Sequence, residues 1–256
     1  MTRFVLIDES TTNDPNYGGA LTPDVLQNIA VAVSWQLNTD VAAEWGGIGT
    51  HSVRVGTDQN DLSAGEVAVW IQDSLPDAPG AAGYHERGAD GSSDAYIGRD
   101  GSNSLTTGSS ALSVTISHEC CETVGDPPAN FWADRGDGNE EALELCDRVE
   151  DQVYDAPNGV AVSDFLLRAA FDPGAQGPYD KLDALKKATD MTPGGYVILR
   201  TASSDEHQVT PNKKIAATAL HKTFVKGHIR PEKVAKKKSF TSRTHRRGVP
   251  AAGISR

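Results

Sequence analysis

His118 and Glu122 stand four residues apart in the stretch Ser117-His118-Glu119-Cys120-Cys121-Glu122. On an α-helix that spacing puts both side chains on one face, one turn apart, which suits a pair of metal ligands. An imidazole and a carboxylate so placed fit zinc, with manganese an alternative because carboxylates also suit harder cations. Glu119 is turned about 100° from His118 around such a helix. From there it can address a water held by the metal without ligating the metal, which is the position of a general base.

The order is that of the HExxH helix of zinc peptidases, in which two histidines ligate zinc and the glutamate is the base, with Glu122 in place of the second histidine. Two carboxylates and one imidazole cancel the charge of a dication, so a bound water is less acidified than at a two-histidine site. One helix face supplies two ligands, and a catalytic zinc generally has three from the protein. The third is expected from Glu141-Ala142-Leu143-Glu144-Leu145-Cys146-Asp147. Glu144 is the first choice, 22 positions after Glu122, because gluzincin-type peptidases take a glutamate from a following helix at comparable distance. Asp147, one helical turn on, can ligate in its place or hold a ligand in position. Asp126 is a weaker option, and His85 reads as a loop histidine in preference to a ligand or transition-state donor.

The motif needs a rigid frame. Ser109 or Ser110 can cap a helix that Gly125 and Asp126-Pro127-Pro128 end, although Ala111 to Ile116 is rich in β-branched residues. Thr22-Pro23-Asp24 opens an earlier helix, with a cap, a proline at the first position and an early acid. Apolar residues at 25, 26, 29, 30, 33 and 37 keep helical spacing to a stop near Trp45-Gly46-Gly47. Strands are expected at Phe4 to Ile7, His51 to Val55, Glu66 to Ile71, Tyr84-His85 and Asp94 to Gly98, and again at Gly159 to Leu167 and Gly194 to Arg200. Glu140 to Val149 reads as a short helix or turn. Asp134 to Asn139 is an acidic, glycine-rich loop without the register of a calcium-binding EF-hand.

The net charge of −11 hides an asymmetry. From Asn212 onward, 13 Lys and Arg face the single acid Glu232, and the rest of the chain holds 11 basic and 34 acidic residues. The expected organisation is a domain over residues 1–210 and a basic, disordered tail over 211–256, too poor in large apolar residues to fold alone. Such a tail contacts nucleic acid or another polyanion weakly, against repulsion from the acidic body. Three cysteines without a CxxC exclude a disulfide framework, and Cys120, Cys121 and Cys146 read as small core residues. No apolar run approaches the roughly 20 residues of a membrane span, and the start of the chain lacks the pattern of a signal peptide. A cytoplasmic location is expected.

The chain also resembles a zincin-like family of tailed phages and bacteria. The shared features are the SHExxE helix at 117–122, Asp126-Pro127, Glu144-Leu145-Cys146-Asp147, Gly159-Val160-Ala161-Val162-Ser163-Asp164-Phe165 and Gly194-Gly195-Tyr196, with weaker likeness at 36–45 and 83–85. The resemblance covers roughly residues 4 to 200 and implies a metallopeptidase-like domain, phage-encoded and virion-associated. The expected fold is therefore α+β, a small mixed sheet packed on an N-terminal helix and on the HExxE helix. Two functions fit: a zinc peptidase acting on a peptide or protein substrate, with a metal-bound water activated by Glu119, or a non-catalytic phage structural or host-interaction protein stabilised by the metal.

Overall fold

A computed structural model describes residues 2–47, 49–87, 92–201 and 207–210. The basic tail and the polyanion contact expected of it lie outside the described residues.

The chain is mixed α/β. Phe4 to Ile7 form the middle of β1 (Arg3–Asp8), and all four side chains are at most 1% exposed. A continuous apolar run of this kind is what a strand needs when both faces of its sheet are covered. One face, with Phe4 and Leu6, belongs to the main core, and the other, with Val5 and Ile7, packs on Ala68, Leu62 and Trp70. The first helix, α1 (Pro23–Gln36), starts where expected, with Thr22 Oγ1 accepting the Val25 N–H. It runs through a π-turn at Leu37–Val41 into α2 (Ala42–Trp45).

Four more strands complete the main sheet: β2 (Ser52–Val55), β3 (Glu66–Gln72), β4 (Gly83–Arg87) and β5 (Ser93–Gly98). Their order is β2-β1-β3-β5-β4, parallel except for β4, which runs antiparallel to β5 at one edge. Past β5, the buried guanidinium of Arg99 donates to the carbonyls of Thr12, Tyr17 and Gly19, tying down the loop that leads into α1.

The motif helix is α3 (Leu112–Gly125), and every residue from Leu112 to Thr123 is buried. Surroundings on all sides override the low helix propensity of its β-branched residues. Neither Ser109 nor Ser110 caps it. The N-cap is Ala111, and the first amides are satisfied by chain passing alongside, with Leu112 N–H donating to the Ser104 carbonyl and Ser113 N–H to that of Leu105.

Beyond α3 the short helix or turn expected over Glu140 to Val149 is found only at its end, and its start is a strand. Glu140–Ala142 form β7, paired with β6 (Trp132–Asp134), and an irregular stretch leads to a 3₁₀ turn at Asp147–Val149. The glutamates explain the difference: Glu140 pairs with Arg200 and Glu141 with Arg135 and Arg148, partners that a helix would not place on both sides of the segment. Next come β8 (Val153–Asp155) and β9 (Ala161–Ser163), a two-stranded ribbon. Finally β10 (Val197–Arg200) and β11 (His207–Val209) extend the second sheet in the order β11-β10-β7-β6. No helix among the described residues is long and apolar enough to cross a membrane.

The segment after β9 carries a pH-sensitive contact. Asp164 is fully buried and faces the Asp180 carboxyl, which already accepts the N–H groups of Ala184 and Leu185. Burial first, then the hydrogen bond and charge of Asp180, push Asp164 up to about 8 from an ordinary 3.8. Between those values the folded chain keeps a proton that the unfolded chain has released. Stability from this group therefore falls as pH rises across that window, by up to about 1.4 kcal/mol per pH unit, and is level on either side. Asp164→Asn removes the slope while its amide oxygen keeps the Phe165 N–H contact. Urea midpoints of both chains from pH 4 to pH 8 are expected to separate progressively in favour of Asn.

Candidate metal centre

Three elements converge on the motif. α3 supplies His118, Glu119 and Glu122, the 3₁₀ turn supplies Asp147 at its first position, and β4 supplies His85. Glycines set the approach in two places. A Cβ at Gly83 would stand 2.7 Å from Glu119 Oε1 and 2.9 Å from Thr115 Cγ2, so only glycine lets β4 lie this close on α3. A Cβ at Gly195 would collide with the Arg148 carbonyl, so the Gly194-Gly195-Tyr196 segment rests directly on the backbone of the Asp147 turn. There Tyr196 N–H donates to the Asp147 carbonyl at 2.9 Å.

Arg148 holds the turn from the other side. It is buried, donates to the carbonyls of Ala170, Ala188 and Asp190, lies 3.3 Å from Glu141 Oε1, and stacks over Phe171. Ser117 Oγ accepts the Ser163 N–H at 2.7 Å and Ser113 Oγ donates to the Ala161 carbonyl at 2.6 Å, which clamps β9 to the back of α3.

His118 Nε2 lies 3.2 Å from Glu122 Oε1 and 3.4 Å from Asp147 Oδ1. Charge-assisted hydrogen bonds run shorter, about 2.7–2.9 Å. Donors at about 2.0–2.1 Å from a tetrahedral zinc stand about 3.3–3.4 Å from one another by geometry. His118, Glu122 and Asp147 thus have the spacing of a cation's ligands, and all three are buried. Among the described residues, Asp147 Oδ2 and Glu122 Oε2 lack a hydrogen-bond partner, as do both carboxylate oxygens of the buried Glu150 nearby. Buried carboxylates without donors are costly unless a positive charge balances them, so the residues fit a divalent cation.

Without a metal the cluster holds protons. Burial acts to lower the His118 pKa, but Glu122, Cys146 and Asp147 outweigh it and leave the imidazole well above its ordinary value. Burial likewise acts to raise Glu122, and His118 and His85 overcome it, holding that carboxyl well below its usual range. Burial and the Glu122 charge push Asp147 up to about 6 against the opposing pull of His118. Burial keeps Glu150 well above the usual carboxylate range.

Of the residues singled out in the sequence, His118, Glu122 and Asp147 come together, with Glu119 on the adjoining side of the helix. Glu144 is buried on the irregular stretch before the turn and lies outside that donor group. Asp126 makes the turn after α3, accepting the Asn130 and Phe131 N–H groups at 3.1 and 2.9 Å. Cys120, Cys121 and Cys146 are free, buried thiols, and burial raises the pKa of each.

The residue that sequence reasoning ranked too low is His85. It is fully buried on β4, with Nδ1 3.5 Å from both Glu119 Oε2 and Glu122 Oε2 and with Nε2 3.2 Å from the Asp126 carbonyl. Its signal was Gly83-Tyr84-His85 beside a breaker-rich stretch, where one glycine permits close packing and the next inward position carries the imidazole. Comparison with protein-family models, with curated proteins and with solved structures found no match to this chain.

Proposed function

We propose that the chain is a metal-dependent peptidase with a zincin-like fold, in which His118, Glu122 and Asp147 hold a zinc or manganese ion and Glu119 is the general base. The observation that carries this reading is the 3.2 and 3.4 Å spacing of donor atoms around His118 Nε2, beside a glutamate on the same helix. A bound cation there supplies a Lewis acid for the scissile carbonyl and lowers the pKa of a water. Glu119 takes the proton of the attacking water and delivers it to the leaving amine. His85, 3.5 Å from Glu119 Oε2, fixes the direction in which that carboxylate faces.

A second reading is favoured by enclosure. His85, His118, Glu119, Glu122 and Asp147 are each at most 3% exposed, which also suits a cation that only fixes the fold. The two are separated by incubating the purified chain with unfolded protein and a mixed peptide library, in zinc and then in manganese. Metal-dependent cleavage supports the peptidase, and no cleavage under either ion leaves the structural role.

A further inference from the structure

The His85 ring poses a charge problem that the first cation does not solve. A carbonyl can only accept, so His85 Nε2 carries the hydrogen that it directs at Asp126. In the neutral ring Nδ1 then presents a lone pair towards Glu119 Oε2 and Glu122 Oε2, each 3.5 Å away. Three electron-rich atoms facing one another inside the protein require a positive charge among them. A proton shared by a charged pair draws its partners to about 2.7–2.9 Å, whereas 3.5 Å is the separation of donors around a tetrahedral cation with bonds of about 2.1–2.2 Å, within the range of carboxylate oxygens on zinc.

Glu122 connects this group to the first. Its Oε1 faces His118 Nε2 and its Oε2 faces His85 Nδ1, so the two oxygens of one carboxylate point into separate donor groups. Oε2 has no hydrogen-bond partner among the described residues. A carboxylate placed in this way bridges ions about 3.5–4 Å apart in two-metal sites.

The charge count agrees. Glu119, Glu122, Glu144 and Asp147 are all at most 3% exposed, and the neighbouring Arg148 is committed to Glu141. A single dication leaves this group of acids strongly negative, and a second brings it close to neutral.

We propose that the centre binds a second divalent cation, held by His85, Glu119 and Glu122, with Glu122 bridging the two ions. The inference rests on His118, Glu122 and Asp147 holding the first. It also adds regulation to the proposed reaction. With Glu119 bound to a cation its lone pairs are engaged, so filling the second position withdraws the base, and excess metal suppresses turnover.

The test is stoichiometry by equilibrium dialysis against zinc and against manganese, followed by elemental analysis. Wild type is expected to hold two equivalents, His85→Gln one, and the manganese-loaded wild type is expected to give the exchange-coupled EPR signal of a paired site. Glu119→Gln, which preserves volume and helix, is also expected to fall from two equivalents to one, and it serves if His85→Gln fails to fold. One equivalent in saturated wild type, lost in His118→Ala, overturns the second position and leaves the peptidase reading standing. Two equivalents retained in both His85→Gln and Glu119→Gln overturn the assignment of its ligands. No bound metal in wild type removes both.

Discussion

Glu119→Gln, loaded with one equivalent of metal, is expected to keep the ion at His118 and to lose peptide turnover. The amide has the size and helix compatibility of the acid, and the donors at 3.2 and 3.4 Å around His118 Nε2 do not include residue 119. What disappears is the capacity to accept a proton. General-base contributions are of order 10²- to 10⁴-fold, so a rate measurable in wild type falls to or below the uncatalysed background. Cleavage that persists undiminished in Glu119→Gln belongs to a contaminant or to another site. Retention of metal is read on the same sample by elemental analysis, which separates loss of the base from loss of the ion.

Removing the metal is expected to lower the melting temperature by roughly 5–15 °C. Ligand at 100- to 1,000-fold its dissociation constant stabilises by about 2.7–4.1 kcal/mol, and a domain of about 150–250 residues shifts about 2–4 °C per kcal/mol. In this chain the effect has a specific origin. Without a cation, the interior must hold Glu122, Asp147 and Glu150 by protonation and by histidine charge alone. His118→Ala is expected to abolish both the tightly bound equivalent and the metal-dependent shift. The substitution also leaves a cavity that lowers stability by itself, so the quantity to compare is the difference between melts with and without metal. Equal shifts in wild type and His118→Ala remove His118 from the centre. Retained affinity in Asp147→Ala with loss in Glu144→Ala would move the third ligand to the position first expected.

Much of the frame was legible because its signals are local. The unbroken apolar run of β1, the Thr22-Pro23 start of α1 and the breaker after Gly125 all lie within a few residues of what they specify. The pairing of His118 with Glu122 follows from helix periodicity alone. The position of the turn that presents Asp147, rather than Glu144, to the helix was not legible, because Arg148 and the Gly194-Gly195-Tyr196 segment hold it across more than forty residues of sequence. Glu140 to Ala142 reads as the start of a short helix or turn until its arginine partners are known. His85 was ranked too low for the same reason. A histidine becomes a ligand through what stands opposite it, and Glu119 and Glu122 reach it only by the packing of β4 on α3, with Gly83 making room.

The burial of the donors has a kinetic meaning apart from affinity. A cation walled in by side chains at most 3% exposed leaves only when the fold opens around it, so the rate of escape is set by the frequency of that opening. If the ion serves only the fold, a chelator should strip it at a rate that no longer increases once its concentration is high, because it captures what is released and cannot reach in, whereas an ion open to a peptide carbonyl should be stripped faster as chelator is added. That limiting rate should match the slowest amide hydrogen exchange in α3. Radioactive zinc already bound should then outlast a large excess of unlabelled zinc by the same interval, and the centre would behave in practice as a clock for the breathing of the helix that carries it.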